Sequence, residues 1–84
     1  MDEEARIILG DAIAFCQRDG QDARLINMLG QSRAISLTED TLTIEAPSRF
    51  AIAQLKKHQP TIEAYLEEIA FAPIALDVVA PQGA

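Results

Sequence analysis

Apolar residues recur along the first part of the chain at spacings of three and four, the period of an α-helix. Between Asp2 and Arg18 they form one stripe, which consists of Ala5, Ile8, Leu9, Ala12, Ile13 and Cys16. Gly20 is a natural stop because glycine adopts positive φ without steric cost. A second, shorter helix is predicted from Asp22, as its cap, to Leu29, with Gly30 as its stop. Gly10, in the middle of the first helix, indicates a close approach between helices.

Between Arg33 and Glu45 the period changes to two, which is typical of β-strands. The alternation continues on both sides of an acidic turn, Glu39-Asp40, so this segment is predicted to form a β-hairpin. Its larger apolar positions are Ile35 and Leu37 before the turn, and Leu42 and Ile44 after it.

Two more helices and a last strand complete the order α-α-β-β-α-α-β. The third helix is predicted to begin at Pro47 or Ser48 and to end near His58, and the fourth to span residues 61–70. Ile52 and Leu55 of the third helix are expected to face the core. Residues 74–79 alternate again. This order predicts an α+β fold with a small three-stranded sheet packed against helices. We expect one domain over residues 1–79, and residues 80–84 as the start of a linker or a chain end cut within one.

Composition narrows the class of protein. The 84 residues carry a net charge of −6, which argues against general nucleic-acid binding but leaves room for a local basic strip. No apolar run approaches the ~20 residues that span a bilayer, and the acidic N-terminus is unlike a signal peptide. Cys16 is the single cysteine, so no internal disulfide is possible. A cytoplasmic protein is expected.

The residues that could take part in catalysis are each better explained by a place in the core, at a helix end or on a solvated face. Cys16 lies on the apolar stripe, where thiols are usually inert. His58, the single histidine, suits a helix C-terminus and has no nucleophile near it in the pattern. Glu63, Glu67 and Glu68 share one side of the fourth helix, which is typical of a solvated face. No glycine-rich phosphate loop is present. We expect no enzyme activity, no cofactor and no metal.

The third helix is the strongest candidate for a functional surface. Arg49, Lys56 and Lys57 are seven or eight residues apart and share one side, while Phe50, Ala53 and Lys57 share a neighbouring side. One interpretation is that Phe50 packs the helix start onto the sheet and the lysines are solvated. The other is that Phe50 is exposed beside Arg49, an aromatic and arginine combination enriched at interaction hot spots. A weak contact with single-stranded nucleic acid is a further alternative.

The segment Leu42–Phe50, L-T-I-E-A-P-S-R-F, resembles a motif of one known family. It is similar to the strand, the Ala-Pro turn and the Arg-Phe helix start in the N-terminal domain of the bacterial chromosomal replication initiator DnaA. The resemblance implies a K-homology-like α+β fold used for protein contacts. In that family the domain mediates self-association, helps to load the replicative helicase, receives regulators and contacts single-stranded DNA weakly.

The resemblance also implies roles for individual residues. Phe50 falls on the family's exposed aromatic residue, and Arg49 is its neighbour. Leu9-Gly10 and Leu29 occupy positions where the family usually has tryptophan. The resemblance therefore implies a second copy of the chain as a further partner, but without the family's aromatic patch. Leu25 falls on a polar or acidic partner-binding position of the second helix.

Two alternatives remain open at this point. The C-terminal interaction domain of the clamp-loader gamma/tau subunit has a related strand-helix pattern, and a small nucleic-acid-binding module is the other alternative. A K-homology RNA binder would carry a Gly-x-x-Gly loop, which this chain lacks. The leading hypothesis is an initiator interaction domain that binds the replicative helicase and regulators. Its partner-binding residues are predicted to be Arg49, Phe50, Ala53 and Leu25, with Arg49, Lys56 and Lys57 for single-stranded DNA.

Overall fold

The computed structural model describes residues 2–82 and shows four helices and three strands. The α+β class and the order α-α-β-β-α-α-β are both confirmed. The linker predicted over residues 80–84 includes residues 83 and 84, which lie outside the described residues. The elements are α1 (Glu3–Arg18), α2 (Ala23–Gln31), β1 (Arg33–Thr38), β2 (Thr41–Glu45), α3 (Arg49–Lys57), α4 (Gln59–Ala70) and β3 (Ala75–Val79).

The sheet has the strand order β1-β2-β3, with β2 in the centre. β1 and β2 form the predicted antiparallel hairpin, whereas β2 and β3 run parallel. Parallel strands cannot be joined by a tight turn, so the chain crosses back through α3 and α4. Leu42 and Ile44 of β2 are fully buried, and residues 41, 43 and 45 alternate with them on the other face. The helices therefore cover one face of the sheet.

The core is built almost entirely from aliphatic side chains. Tyr65 of α4 is the one aromatic residue among the buried side chains of residues 2–82, and its hydroxyl donates to Asp19 Oδ2 at 2.8 Å. Cys16 is buried as predicted, and burial raises the pKa of its thiol, which makes it a poorer nucleophile. The largest fully buried side chains are Leu25, Leu29, Leu42, Ile44, Leu55, Ile62, Leu66 and Cys16.

Side chains of the α1 cap and of α4 bond to backbone groups on both outer edges of the sheet. On the β1 edge, the Leu37 N–H donates to Asp2 Oδ2 at 2.7 Å, while Asp2 Oδ1 caps α1 by accepting from the Ala5 N–H at 3.1 Å. On the β3 edge, the Leu76 N–H donates to Glu63 Oε2 at 2.8 Å, and the Leu76 carbonyl accepts from Gln59 Nε2 at 3.1 Å. Unpaired edge groups are a template for unwanted strand pairing, so these bonds protect the sheet.

Two glycine predictions were wrong. α2 continues through Gly30 to Gln31 and ends where the Ser32 hydroxyl donates to the Met28 carbonyl at 2.7 Å. Gly10 is exposed, and a Cβ built there would meet nothing within 4 Å, so no neighbouring helix approaches it.

Two further details of the strands and helices were not foreseen from the sequence. The hairpin register shifts between Ala34 and Ser36, and Ile35, which lies at this bulge, is exposed. α4 begins at Gln59 rather than Thr61, because Pro60 is accommodated in the first turn. Of the third-helix residues expected to face the core, Leu55 is buried and Ile52 is half-buried.

The helix ends show one place where the backbone is strained. Gly20 follows α1 with φ of 68°, as its type allows. α4 also ends on a left-handed residue, but that residue is Phe71, with φ of 59° and ψ of 26°. The Phe71 N–H donates to the Glu67 carbonyl at 2.8 Å, which completes the cap. A side chain with a Cβ costs about 1 kcal/mol or more in this conformation.

We predict that Phe71→Gly raises the free energy of unfolding by about 1 kcal/mol, because glycine adopts the left-handed cap without strain. Phe71→Ala is the control, since alanine removes the ring but keeps the Cβ. Urea unfolding of both variants measures the effect. Equal stabilities for the two variants would contradict the assignment of strain to Phe71.

A second prediction concerns the carboxylate of Asp2. The Leu37 and Ala5 N–H groups hold its pKa below the ordinary value of 3.8. Its charge therefore stabilises the fold above that value, and this stabilisation is lost as pH falls through the lower folded-state pKa.

Asp2→Asn keeps an accepting oxygen but cannot titrate. We expect wild type to be more stable than this variant at pH 6, and the difference to shrink as pH falls below 3.8. Urea unfolding at a series of pH values gives this difference directly. A difference that stays constant down to the lowest pH would show that the charge of Asp2 has no role.

Candidate protein-docking site

α2 and α3 lie side by side and leave a groove of about 720 Å³ between them. The groove is lined by residues of both helices, by the cap residue of each helix and by the ends of the adjoining segments. We call it the α2–α3 groove, and its lining residues are Asp22, Arg24, Leu25, Asn27, Met28, Gln31, Pro47, Ser48, Phe50, Ala51, Gln54, Lys57 and His58.

The position of α3 is fixed by the junction that leads into it. Ala46 is buried, and its N–H donates to the Val79 carbonyl at 2.9 Å, which extends the pairing of β2 with β3. Pro47 then ends the strand, and Ser48 caps α3 by accepting from the Ala51 N–H at 3.2 Å. The sequence A-P-S-R-F is therefore the segment that sets where the first turn of α3 faces.

Phe50 lies in that first turn and is 74% exposed. An aromatic side chain that packed the helix start onto the sheet would be buried, so this interpretation is wrong. The neighbouring Ala51 is buried and anchors the helix. Phe50 thus projects into solvent at one wall of the α2–α3 groove, where its ring is available to a partner.

The predicted site residues of α3 divide between two flanks of the helix. Phe50 and Lys57 line the α2–α3 groove. Arg49, Ala53 and Lys56 are also exposed, but they do not line the groove. The structure therefore brings Phe50 and Lys57 together and separates them from the other three.

Leu25 needs a correction. It was expected to contact a partner, but it is only 1% exposed and belongs to the core. The apolar side of α2 faces the body of the domain, so Leu25 contributes only its small exposed fraction to the groove lining. It supports the wall that α2 forms and does not offer its side chain to a partner.

The two helices that form the groove carry an unusual charge distribution. They contain no acidic residue and four of the chain's seven lysine and arginine residues, which are Arg24, Arg49, Lys56 and Lys57. The one carboxylate in the lining is Asp22, which caps α2 by accepting from the Arg24 N–H at 2.8 Å. In a chain of net charge −6, this is a local basic surface.

The salt bridges of the molecule also distinguish α2 and α3 from the other elements. The three arginines elsewhere are each within salt-bridge distance of a carboxylate: Arg6 with Glu3, Arg18 with Asp19 and Glu68, and Arg33 with Glu45. Among residues 2–82, no carboxylate pairs with any of the four cations of α2 and α3. Within the described residues, positive charge therefore remains uncompensated on α2 and α3, and Arg24 and Lys57 bring part of it into the groove.

The side of the groove that α2 forms was not predicted from the sequence. Met28 is half-buried there, beside the polar residues Asn27 and Gln31. Only the packing of α2 against α3 brings these residues to Phe50. The absence of acidic residues from both helices was the signal in the sequence that could have linked them.

The structure bears on two other classes of site. Within residues 2–82, no group of three or more histidine, cysteine, aspartate or glutamate residues is placed to hold a metal ion. None of the helices in this part of the chain is long and apolar enough to cross a bilayer.

Comparison with protein-family models and with curated proteins gives no match for this chain. The resemblance to the initiator family therefore stays a prediction from the sequence.

The contrast between Phe50 and Leu25 gives a stability prediction. Phe50→Ala should change the free energy of unfolding by less than about 0.5 kcal/mol, because the ring is exposed. Leu25→Ala should lower it by about 2–5 kcal/mol, because it leaves a cavity in the core. Urea unfolding of the two variants is the test. A large loss of stability for Phe50→Ala would show that its ring packs against the domain.

Proposed function

We propose that this chain is the protein-interaction domain of a replication initiator, which recruits the replicative helicase and regulators through the α2–α3 groove. The observation that carries the proposal is an exposed Phe50 beside uncompensated positive charge in a groove between two helices. The resemblance of the strand and Arg-Phe segment to the initiator family supplies the identity of the partners.

The groove indicates what the partner offers. Phe50 and Met28 provide apolar contact, while Arg24 and Lys57 favour carboxylates. A segment that combines a large apolar side chain with acidic neighbours fits both features, and a helix laid along the groove is one common way to present it. Opposite charges on the two surfaces would also speed their encounter.

The mechanism we propose is assembly rather than catalysis. The domain holds a partner, and attachment to the rest of an initiator raises the partner's effective concentration at the origin. No cofactor or metal takes part, and the setting is the cytoplasm. In the clamp-loader alternative the same groove would serve a different replication protein.

Single-stranded DNA binding is the second candidate function. The four cations of α2 and α3 favour it, because phosphates would supply the missing negative charge. Phe50 is the one exposed aromatic residue of the groove, whereas strong single-strand binders stack several bases on aromatic platforms. We therefore place DNA contact second, with Arg49, Lys56 and Lys57 as its residues.

Two neighbouring lysines allow a sharp test of the groove. Lys57 lines it and Lys56 does not, so Lys57→Glu and Lys56→Glu change net charge equally on the same helix. We expect Lys57→Glu and Phe50→Ala each to weaken binding of the replicative helicase from the same organism by about tenfold or more. Lys56→Glu should have a much smaller effect. Biolayer interferometry with immobilised chain measures these affinities.

Ile7→Ala serves as the apolar control, because Ile7 is 55% exposed on α1 and lies outside the groove. Wild-type helicase binding by Phe50→Ala would contradict the proposal. If Lys56→Glu and Lys57→Glu instead weaken the binding of a labelled single-stranded oligonucleotide equally, with a steep salt dependence and no helicase binding, DNA contact becomes the function.

A further inference from the structure

A second exposed aromatic residue, Phe71, lies at the C-terminal end of α4. It is 94% exposed and holds the strained left-handed cap described above. Its neighbours Ala70, Ala72 and Pro73 are exposed as well, and all are small or apolar. The ring is therefore the projecting part of a short apolar knob, which we define as residues 70–73. A large apolar side chain at this position strains the backbone and adds no packing to the core.

The knob and the α2–α3 groove carry opposite charge. From residue 59 to the end of the chain there is no lysine, arginine or histidine, whereas Glu63, Glu67, Glu68 and Asp77 are all present. Glu67 is exposed one turn before Phe71, and the neighbouring Glu68 is partly compensated by Arg18 at 3.5 Å. One molecule thus presents an apolar knob beside acidic residues and an apolar groove beside basic ones.

We propose that Phe71 of one copy inserts into the α2–α3 groove of a second copy. The groove, at about 720 Å³, has room for a phenylalanine ring, and Phe50 offers the edge-to-face contact that aromatic rings favour. Glu67 of the first copy would then approach Lys57 or Arg24 of the second.

This contact joins two different surfaces, so it is directional. A pair keeps one free knob on one copy and one free groove on the other, so association continues into open chains or closes into a ring. The contact also occupies the groove that the proposed function gives to other partners. Self-association and partner capture would therefore compete.

Complementary variants test this arrangement. Phe71→Gly removes the knob, and its backbone is relieved rather than strained. Phe50→Ala alters the groove at an exposed position. For wild type, sedimentation equilibrium over about 10 µM to 1 mM should give a weight-average mass that rises beyond twice 9.2 kDa. Each variant alone should associate at least about tenfold more weakly.

The decisive sample is an equimolar mixture of the two variants. Phe71→Gly still has a groove and Phe50→Ala still has a knob, so the mixture should regain association and stop at the dimer. Ile7→Ala, which alters the exposed face of α1, should associate as wild type does. A monomeric wild type, a mixture that stays monomeric, or a loss of association in Ile7→Ala would overturn the proposal. At concentrations too low for self-association, helicase binding by Phe71→Gly should match wild type, so failure here is distinguishable from failure of the proposed function.

Discussion

The parallel pairing of β2 with β3 is the constraint on which the rest of the structure depends. It requires a crossover, and α3 and α4 are that crossover. The last bond of the pairing, from the Ala46 N–H to the Val79 carbonyl, lies immediately before the Pro47-Ser48 break that starts α3. The sheet therefore determines where α3 begins, and α3 packed beside α2 determines the groove. The surface that we propose to be functional is therefore positioned by a requirement of the fold.

Charge is distributed in a way that stability alone does not explain. The arginines outside the groove helices are paired with carboxylates, and acidic side chains such as Asp2 and Glu63 are used to close the sheet edges. The cations of α2 and α3 lack such partners among the described residues. Exposed ion pairs contribute little to stability, so their absence costs the fold little and leaves positive charge for a ligand. Phe71 is a similar case, because its exposed ring adds no packing to the core while its backbone is strained.

The fold was predicted well because the periodicity of apolar residues and the capping of helices are local properties of the chain. The stripe of α1, the acidic hairpin turn and the Ser48 cap each depend on residues close in the chain, and each was predicted correctly. The bulge beside Ile35 and the continuation of α2 through Gly30 were missed, because both depend on neighbours elsewhere in the fold. The candidate site was predicted only in part. Phe50 could be chosen from its helix start, but the burial of Leu25 and the separation of Lys57 from Lys56 depend on how α2 packs against α3.

The central claim is that the α2–α3 groove is the surface a protein partner occupies. Chemical-shift mapping tests it most directly, using ¹⁵N-labelled chain titrated with unlabelled replicative helicase from the same organism. We predict that amide resonances of α2 and the first turns of α3 shift or broaden first, with Arg24, Met28 and Phe50 among the largest changes. Perturbations confined to the open face of the sheet, at residues such as Thr43 and Asp77, would contradict it.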